Sequence, residues 1–132
     1  MGRGALDERG KPMSQESLDD FKAYQLAMEL FDLVLEDMAP LANKPALQKI
    51  VSQQLGSADS IAANIEEGHG RETTKEYIRF LVFARGSARE TKGRYIRIRK
   101  WFDEPLVKNR CDKCDHIIAI LTKTIVSLRK RT

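Results

Sequence analysis

An all-α fold is predicted by three observations. Apolar residues recur at three- and four-residue steps over four long stretches, Pro is rare and falls between them (4 in 132 residues), and no segment shows the alternation of a half-buried strand. A composition of 42% hydrophobic and 32% charged residues suits a soluble, helix-rich chain rather than a disordered or fibrous one. Short connections between the stretches make the expected architecture an antiparallel up-down-up-down four-helix bundle. The length, 132 residues, is one domain's worth.

Residues 1–16 mix Gly, Pro, Ser and both charges without apolar periodicity. Such a stretch cannot offset the entropy of ordering, so a flexible arm is expected there, with the bundle domain over 17–132. Ser17 with Asp19 and Asp20 resembles a helix start, and Pro40 with Pro45 forms a stop signal, giving a first helix over Asp19 to Met38. Phe21, Tyr24, Met28, Phe31, Leu35 and Met38 form its expected core seam. Leu26, Leu30 and Leu33 form a second stripe outside that seam. At about 100° per residue the apolar arc exceeds half the circumference, more than one small bundle covers, so this second stripe is the expected oligomer interface.

A second helix is expected from Ala46 to Glu67, with Leu47, Ile50, Val51, Ala58, Ile61, Ala62 and Ile65 inward. Gly68 and Gly70 would end it by supplying a positive φ. Ser57, Ser60, Asn64 and Glu67 make a polar stripe on its flank, and polar groups that become covered need hydrogen-bond partners. Thr73 and Glu76 fit a capping box opening a third helix that reaches Trp101. Its core arc is Tyr77, Phe80, Leu81, Ala84, Ala88, Thr91, Tyr95, Ile98 and Phe102. Folding it back on the second helix sets Gly56, Ser57 and Ala58 against Ala84 to Ala88, so close backbone approach would account for Gly86 and Gly93 within a helix. A fourth helix from near Asn109 carries Cys111, Cys114, Ile118, Leu121, Ile125 and Leu128 in heptad spacing.

No apolar run approaches the roughly 18 to 20 residues that cross a bilayer, and the polar start lacks the apolar stretch of a secretory signal. A cytoplasmic setting is expected, with Cys111 and Cys114 reduced. Cys111-Asp-Lys-Cys114-Asp-His116 resembles half a zinc site, but a structural zinc takes four ligands and no second pair exists. Both cysteines lie in the core phase of their helix, where small apolar fillers belong, so neither metal nor cofactor is expected. Glu66, Glu67 and His69 could supply a general base, yet no nucleophile accompanies them. No enzyme activity is expected.

Charge is divided along the chain. Residues 85–132 carry 14 Lys and Arg against 5 Asp and Glu, whereas residues 1–84 carry 9 against 14. Such asymmetry points to a polyanionic partner or to charge-directed assembly. The run Arg85, Arg89, Lys92, Arg94, Arg97, Arg99 and Lys100 contains Glu90 as its one acid, and Lys108, Arg110 and Lys113 come near the same bundle end. These cations would bind a phosphate backbone with salt-sensitive affinity and little sequence preference, with Tyr95 or Trp101 available to stack on a base. The other reading is a solvated face, or pairing with acids of the first two helices.

The segments Ser57-x-x-Ser60-Ile-Ala-Ala-Asn64-Ile-x-Glu67-Gly68-x-Gly70-Arg71, Lys75-Glu76-Tyr77-x-x-Phe80-Leu81 and Ala84-Arg85-Gly86-Ser87-Ala88-x-Glu90 resemble the signature of the four-helix-bundle proteins encoded by intervening sequences in bacterial large-subunit ribosomal RNA genes. The resemblance covers Phe21 to Phe102. It implies a homopentameric ring, and a fold similar to the accessory variability protein of diversity-generating retroelements, a basic pentamer that binds nucleic acid and a reverse transcriptase. It also implies that Ser57, Asn64, Glu67, Gly68, Gly70, Ser87 and Glu90 are structural. The chain departs from the signature at Gly56-Ser57, where many members carry basic residues. The resulting expectation is a non-enzymatic, nucleic-acid-binding accessory protein of a reverse transcriptase; the alternative is a structural or protein-interaction module without direct nucleic-acid binding.

Overall fold

The computed structural model describes residues 15–132, with side chains from Leu18 onward. The arm expected over residues 1–16 therefore lies outside the described residues, apart from Gln15 and Glu16 at the start of the first helix. The helices are α1 (Gln15–Asp20), α2 (Lys22–Met38), α3 (Gln48–His69), α4 (Thr74–Arg97) and α5 (Glu104–Arg129), with single 3-10 turns at Ala39–Leu41, Pro45–Leu47 and Arg99–Trp101. No strand occurs among the described residues.

Local chemistry explains most of the boundaries. Ser17 lies inside α1 rather than capping a longer helix, because Phe21 adopts extended backbone (φ −71°, ψ 115°) and separates α1 from α2. Thr73 caps α4, its hydroxyl accepting from the Glu76 amide at 3.1 Å. The carboxylate half of that capping box is diverted, since Glu76 lies 3.8 Å from Arg79. α5 begins at Glu104, ahead of the expected Asn109, because the Asp103 side chain accepts from the Leu106 amide at 3.0 Å and Pro105 has no amide to leave unsatisfied in the first turn.

Gly70 ends α3 with φ −83°, so no left-handed cap forms. Gly68 is required for a steric reason instead. A Cβ there would stand 2.8 Å from the Phe80 Cβ and 3.0 Å from Tyr77 Cδ1, so the end of α3 and the start of α4 meet where only glycine fits. Further along the same pair, Gln54 and Ser57 face Thr91 rather than Ala84 to Ala88, a register about one turn from that expected. Gly56 and Gly86 have nothing within 4 Å of a would-be Cβ, so close helix packing does not account for them.

α3 packs on α4, α4 on α5, and α2 against both α3 and α5. The four long helices thus enclose one core, which includes Leu30, Val34, Ile61, Ile65, Leu81, Tyr95, Leu121, Ile125 and Leu128. The inward faces of α3, α4 and α5 follow the expected arcs closely, with Leu47, Ile50, Phe102, Cys111 and Ile118 half-buried at the margins, whereas Phe80, expected on the α4 arc, is half-buried outside the core cluster.

α2 is the exception, and it reverses an expectation. Its buried face is Ala23, Ala27, Leu30, Val34, Asp37 and Met38. Leu30 is therefore enclosed by the chain's own core and is not an oligomer contact, while Leu26 and Leu33 are half-buried. Of the expected seam, Met28 and Leu35 are the exposed members, at 47% and 44%. The physical reason is spacing between helices: Ala23 and Ala27 let neighbours approach α2, and bulky Tyr24, Met28, Phe31 and Leu35 turn to its flank. The apolar arc is as wide as the sequence suggested, but its outward half is the other stripe.

Candidate nucleic-acid interface

The cations expected to meet a polyanion separate into those the fold holds and those it turns outward. α4 packs between α3 and α5, so its basic residues project in three directions. Toward α3, Arg94 Nη1 donates to Gln54 Oε1 at 2.9 Å, to Ser57 Oγ at 3.0 Å and to the Gln53 carbonyl at 3.3 Å. Burial lowers its pKa from the ordinary arginine value. Around it Gln54 donates to the Thr91 carbonyl at 3.0 Å, and the hydroxyls of Ser57 and Thr91 are 2.9 Å apart. Here the buried end of the α3 polar stripe finds the partners that burial demands. The rest of the stripe is paired locally: Asn64 donates to the Ser60 carbonyl of its own helix at 2.8 Å, and Glu67 pairs at 2.6 Å with Arg71, just beyond the end of α3.

Toward α5, Lys92 pairs with Asp115 at 2.8 Å, and that hydrogen bond raises the lysine pKa. Arg85 donates to Thr122 Oγ1 at 3.2 Å, while its Nε is buried without a partner. Burial, then the neighbouring charges of Arg89 and Arg129, depress the Arg85 pKa. Arg110, on α5, is withdrawn furthest from solvent. Its guanidinium forms an ion pair with Asp37 at 2.7 Å, with side chains only 13% and 5% exposed, and hydrogen bonding to Asp37 raises its pKa. Lys108 pairs with Asp112 one turn on at 2.9 Å. Arg94 and Arg110 are thus structural cations, and Lys92 and Lys108 already have carboxylate partners.

Arg89, Arg97, Arg99 and Lys100 are exposed. Among the described residues, none of these four has a carboxylate within ion-pair distance. Arg99 donates to the Ile96 carbonyl at 3.0 Å, and a Cβ on Gly93 would come within 3.2 Å of Arg97 Nη1. Lys113 is half-buried. Of the two rings considered for base stacking, Tyr95 is wholly enclosed, whereas Trp101 is 50% exposed with the Lys44 ammonium 5.6 Å from its centroid. The outward surface is therefore the later half of α4, from Arg89, and its 3-10 continuation, smaller than the sequence alone suggested.

Ser87 supplies a carbonyl to Thr91 at 2.9 Å, and Glu90 is exposed near Arg94. The Asp37 cluster went unnoticed in the sequence, although a signal existed: Asp37 continues the phase of Ala23, Ala27, Leu30 and Val34, and an acid in core phase demands a partner. Tyr24 likewise donates to Glu66 at 2.7 Å, joining α2 to α3, and this bond pushes its pKa up to about 12. Neither cysteine is activated. Burial raises the Cys111 pKa and pushes the Cys114 thiol up to about 12. No described helix is long and apolar enough to cross a membrane.

Comparison with curated proteins finds no match. Residues 19–123 match the family model described as 23S rRNA-intervening sequence protein. That span runs from α1 through most of α5 and takes in the polar contacts of Asp37, Ser57, Thr91, Arg94 and Arg110. The chain belongs to the 23S rRNA-intervening sequence protein family.

Proposed function

We propose that this protein is a non-enzymatic, oligomeric nucleic-acid-binding factor. In this reading the four long helices form an antiparallel four-helix bundle that closes with copies of itself into a ring, a pentamer by the sequence resemblance. RNA or DNA is held through the outward cations of the later half of α4 and its 3-10 continuation, and a reverse transcriptase of a diversity-generating retroelement is the partner it serves. One observation carries the nucleic-acid reading: Arg89, Arg97, Arg99 and Lys100 are exposed without a carboxylate partner among the described residues, close in sequence to the exposed Trp101. Clustered cations repel unless an anion lies between them, and copies around a ring would multiply the effect. The oligomer is supported by the exposed Met28 and Leu35 on one α2 flank with half-buried Tyr24 and Phe31. The reverse transcriptase rests on the resemblance.

The test is titration of a labelled single-stranded RNA at several salt concentrations. Binding should weaken as salt rises, and neutralising Arg97, Arg99 and Lys100 together should reduce the magnitude of the log–log slope by about 2. No binding at low salt, or binding indifferent to salt, overturns the reading.

A structural or protein-interaction module is the second reading, favoured by the engagement of Lys92, Arg94, Lys108 and Arg110 within the chain. Charge reversal at Arg89 and Arg97 separates the two. Loss of the oligomer supports the module, whereas an intact oligomer that no longer binds RNA supports the first reading.

A further inference from the structure

We propose that the groove between the start of α4 and the end of α5 binds a nucleoside monophosphate, its phosphate held by Lys75, Arg79 and Arg129 and its base laid on Phe83. The groove is an open one of about 650 Å³, lined by those four residues together with Glu76 and Thr132, with Ile78 and Val82 as its apolar floor. That volume falls within the range of roughly 300–1,000 Å³ typical of small-molecule sites.

Two complementary halves meet here. Lys75, Arg79 and Arg129 face one acid among the lining side chains, Glu76, which lies 3.8 Å from Arg79. The excess of positive charge continues along the seam to Arg85, whose guanidinium is depressed by burial and by the charges of Arg89 and Arg129. Three cations lining one groove against a single carboxylate leave a net positive charge that a phosphate can offset, since it accepts from several donors at once.

The other half is aromatic. Phe83 is 44% exposed although it is large and apolar. Phe80 meets it edge-on, with centroids 5.6 Å apart, and the Arg79 guanidinium lies over one face of the ring, 5.4 Å from its centroid. A half-exposed ring with a guanidinium over one face can receive a flat heterocycle on the other by stacking, while the cation reaches the attached phosphate. Inorganic phosphate would leave the ring and the apolar floor uncovered, and a neutral base would leave the cations uncompensated. A nucleotide answers both.

This site stands apart from Arg97, Arg99 and Lys100 at the far end of α4 and does not depend on the reading given to them. Calorimetric titration of the full chain with AMP, adenosine, ribose 5-phosphate and inorganic phosphate tests it. AMP should bind, with each of the other three about tenfold weaker or more. The R79A/R129A double variant should lose AMP binding, and Phe83→Ala should bring AMP down to the level of ribose 5-phosphate. Circular dichroism checks that both variants stay folded, and RNA binding through Arg97, Arg99 and Lys100 should survive in R79A/R129A. A 5′-phosphorylated oligonucleotide that competes with AMP identifies the terminal nucleotide of a strand as the source; one that does not identifies the free nucleotide. AMP binding no tighter than inorganic phosphate, or unchanged in R79A/R129A, overturns the proposal.

Discussion

Arg110 of α5 grips Asp37 of α2 with two nitrogens, Nε at 2.7 Å from Oδ2 and Nη2 at 3.0 Å from Oδ1. Tyr95 of α4 donates to the same carboxylate at 2.6 Å, so three helices meet on one side chain. Burial, followed by the bond to Asp37, raises the Tyr95 pKa, keeping it a donor. Truncating Asp37 to Ala would strand a guanidinium and a hydroxyl in the core. A loss of roughly 3–5 kcal/mol is expected in urea unfolding, against about 1–2 kcal/mol for Tyr95→Phe. An Asp37→Ala variant as stable as the parent would show that the cluster does not hold the helices together.

Two glycines should respond oppositely to alanine. At Gly68 the new Cβ meets Phe80 Cβ at 2.8 Å, and overpacking of this kind costs about 1–3 kcal/mol. At Gly86 nothing lies within 4 Å, so higher helix propensity should stabilise the chain by up to about 1 kcal/mol. Denaturation midpoints of the two variants decide it.

The two apolar stripes of α2 should behave differently when altered. Leu30→Ala opens a cavity in the core and should cost about 2–5 kcal/mol. Met28→Glu with Leu35→Glu alters only the exposed flank and should leave unfolding little changed while shifting sedimentation toward the monomer. If the double variant sediments as the parent does, that flank is not the contact between copies.

Thiol chemistry should follow burial. At about pH 8, Cys111, which is half-buried, should react slowly with an aromatic disulfide reagent, and Cys114 should react only on unfolding. Equal, rapid labelling of both in the native protein would contradict the placement of Cys114 in the core.

His69 introduces a pH dependence of known sign. Burial lowers its pKa below the ordinary 6.5, and its Nδ1 is buried without a partner. Between the folded and unfolded pKa values the unfolded chain binds more protons, so stability rises with pH there. The contribution is complete above about pH 6.5 and lost as pH falls through the folded value. Urea midpoints measured from about pH 5 to about pH 7.5 should show this slope, and His69→Gln should flatten it.

Periodicity alone determined the all-α class, the inward arcs of α3, α4 and α5, and the Thr73 cap, because each depends on spacing within one helix or one turn. The residues that carry the family signature are equally local. Tertiary packing decided what spacing leaves open. α2 carries two apolar stripes, and which one is core depends on how closely its neighbours approach, a choice made by Ala23 and Ala27 rather than by the bulkier residues. The basic run reads as one surface, yet Arg94 and Arg110 are withdrawn from it because carboxylate, amide and hydroxyl groups up to 73 positions away in sequence come within hydrogen-bond distance. A charge in a sequence has no partner until the chain folds, and desolvation then makes pairing obligatory for those it encloses.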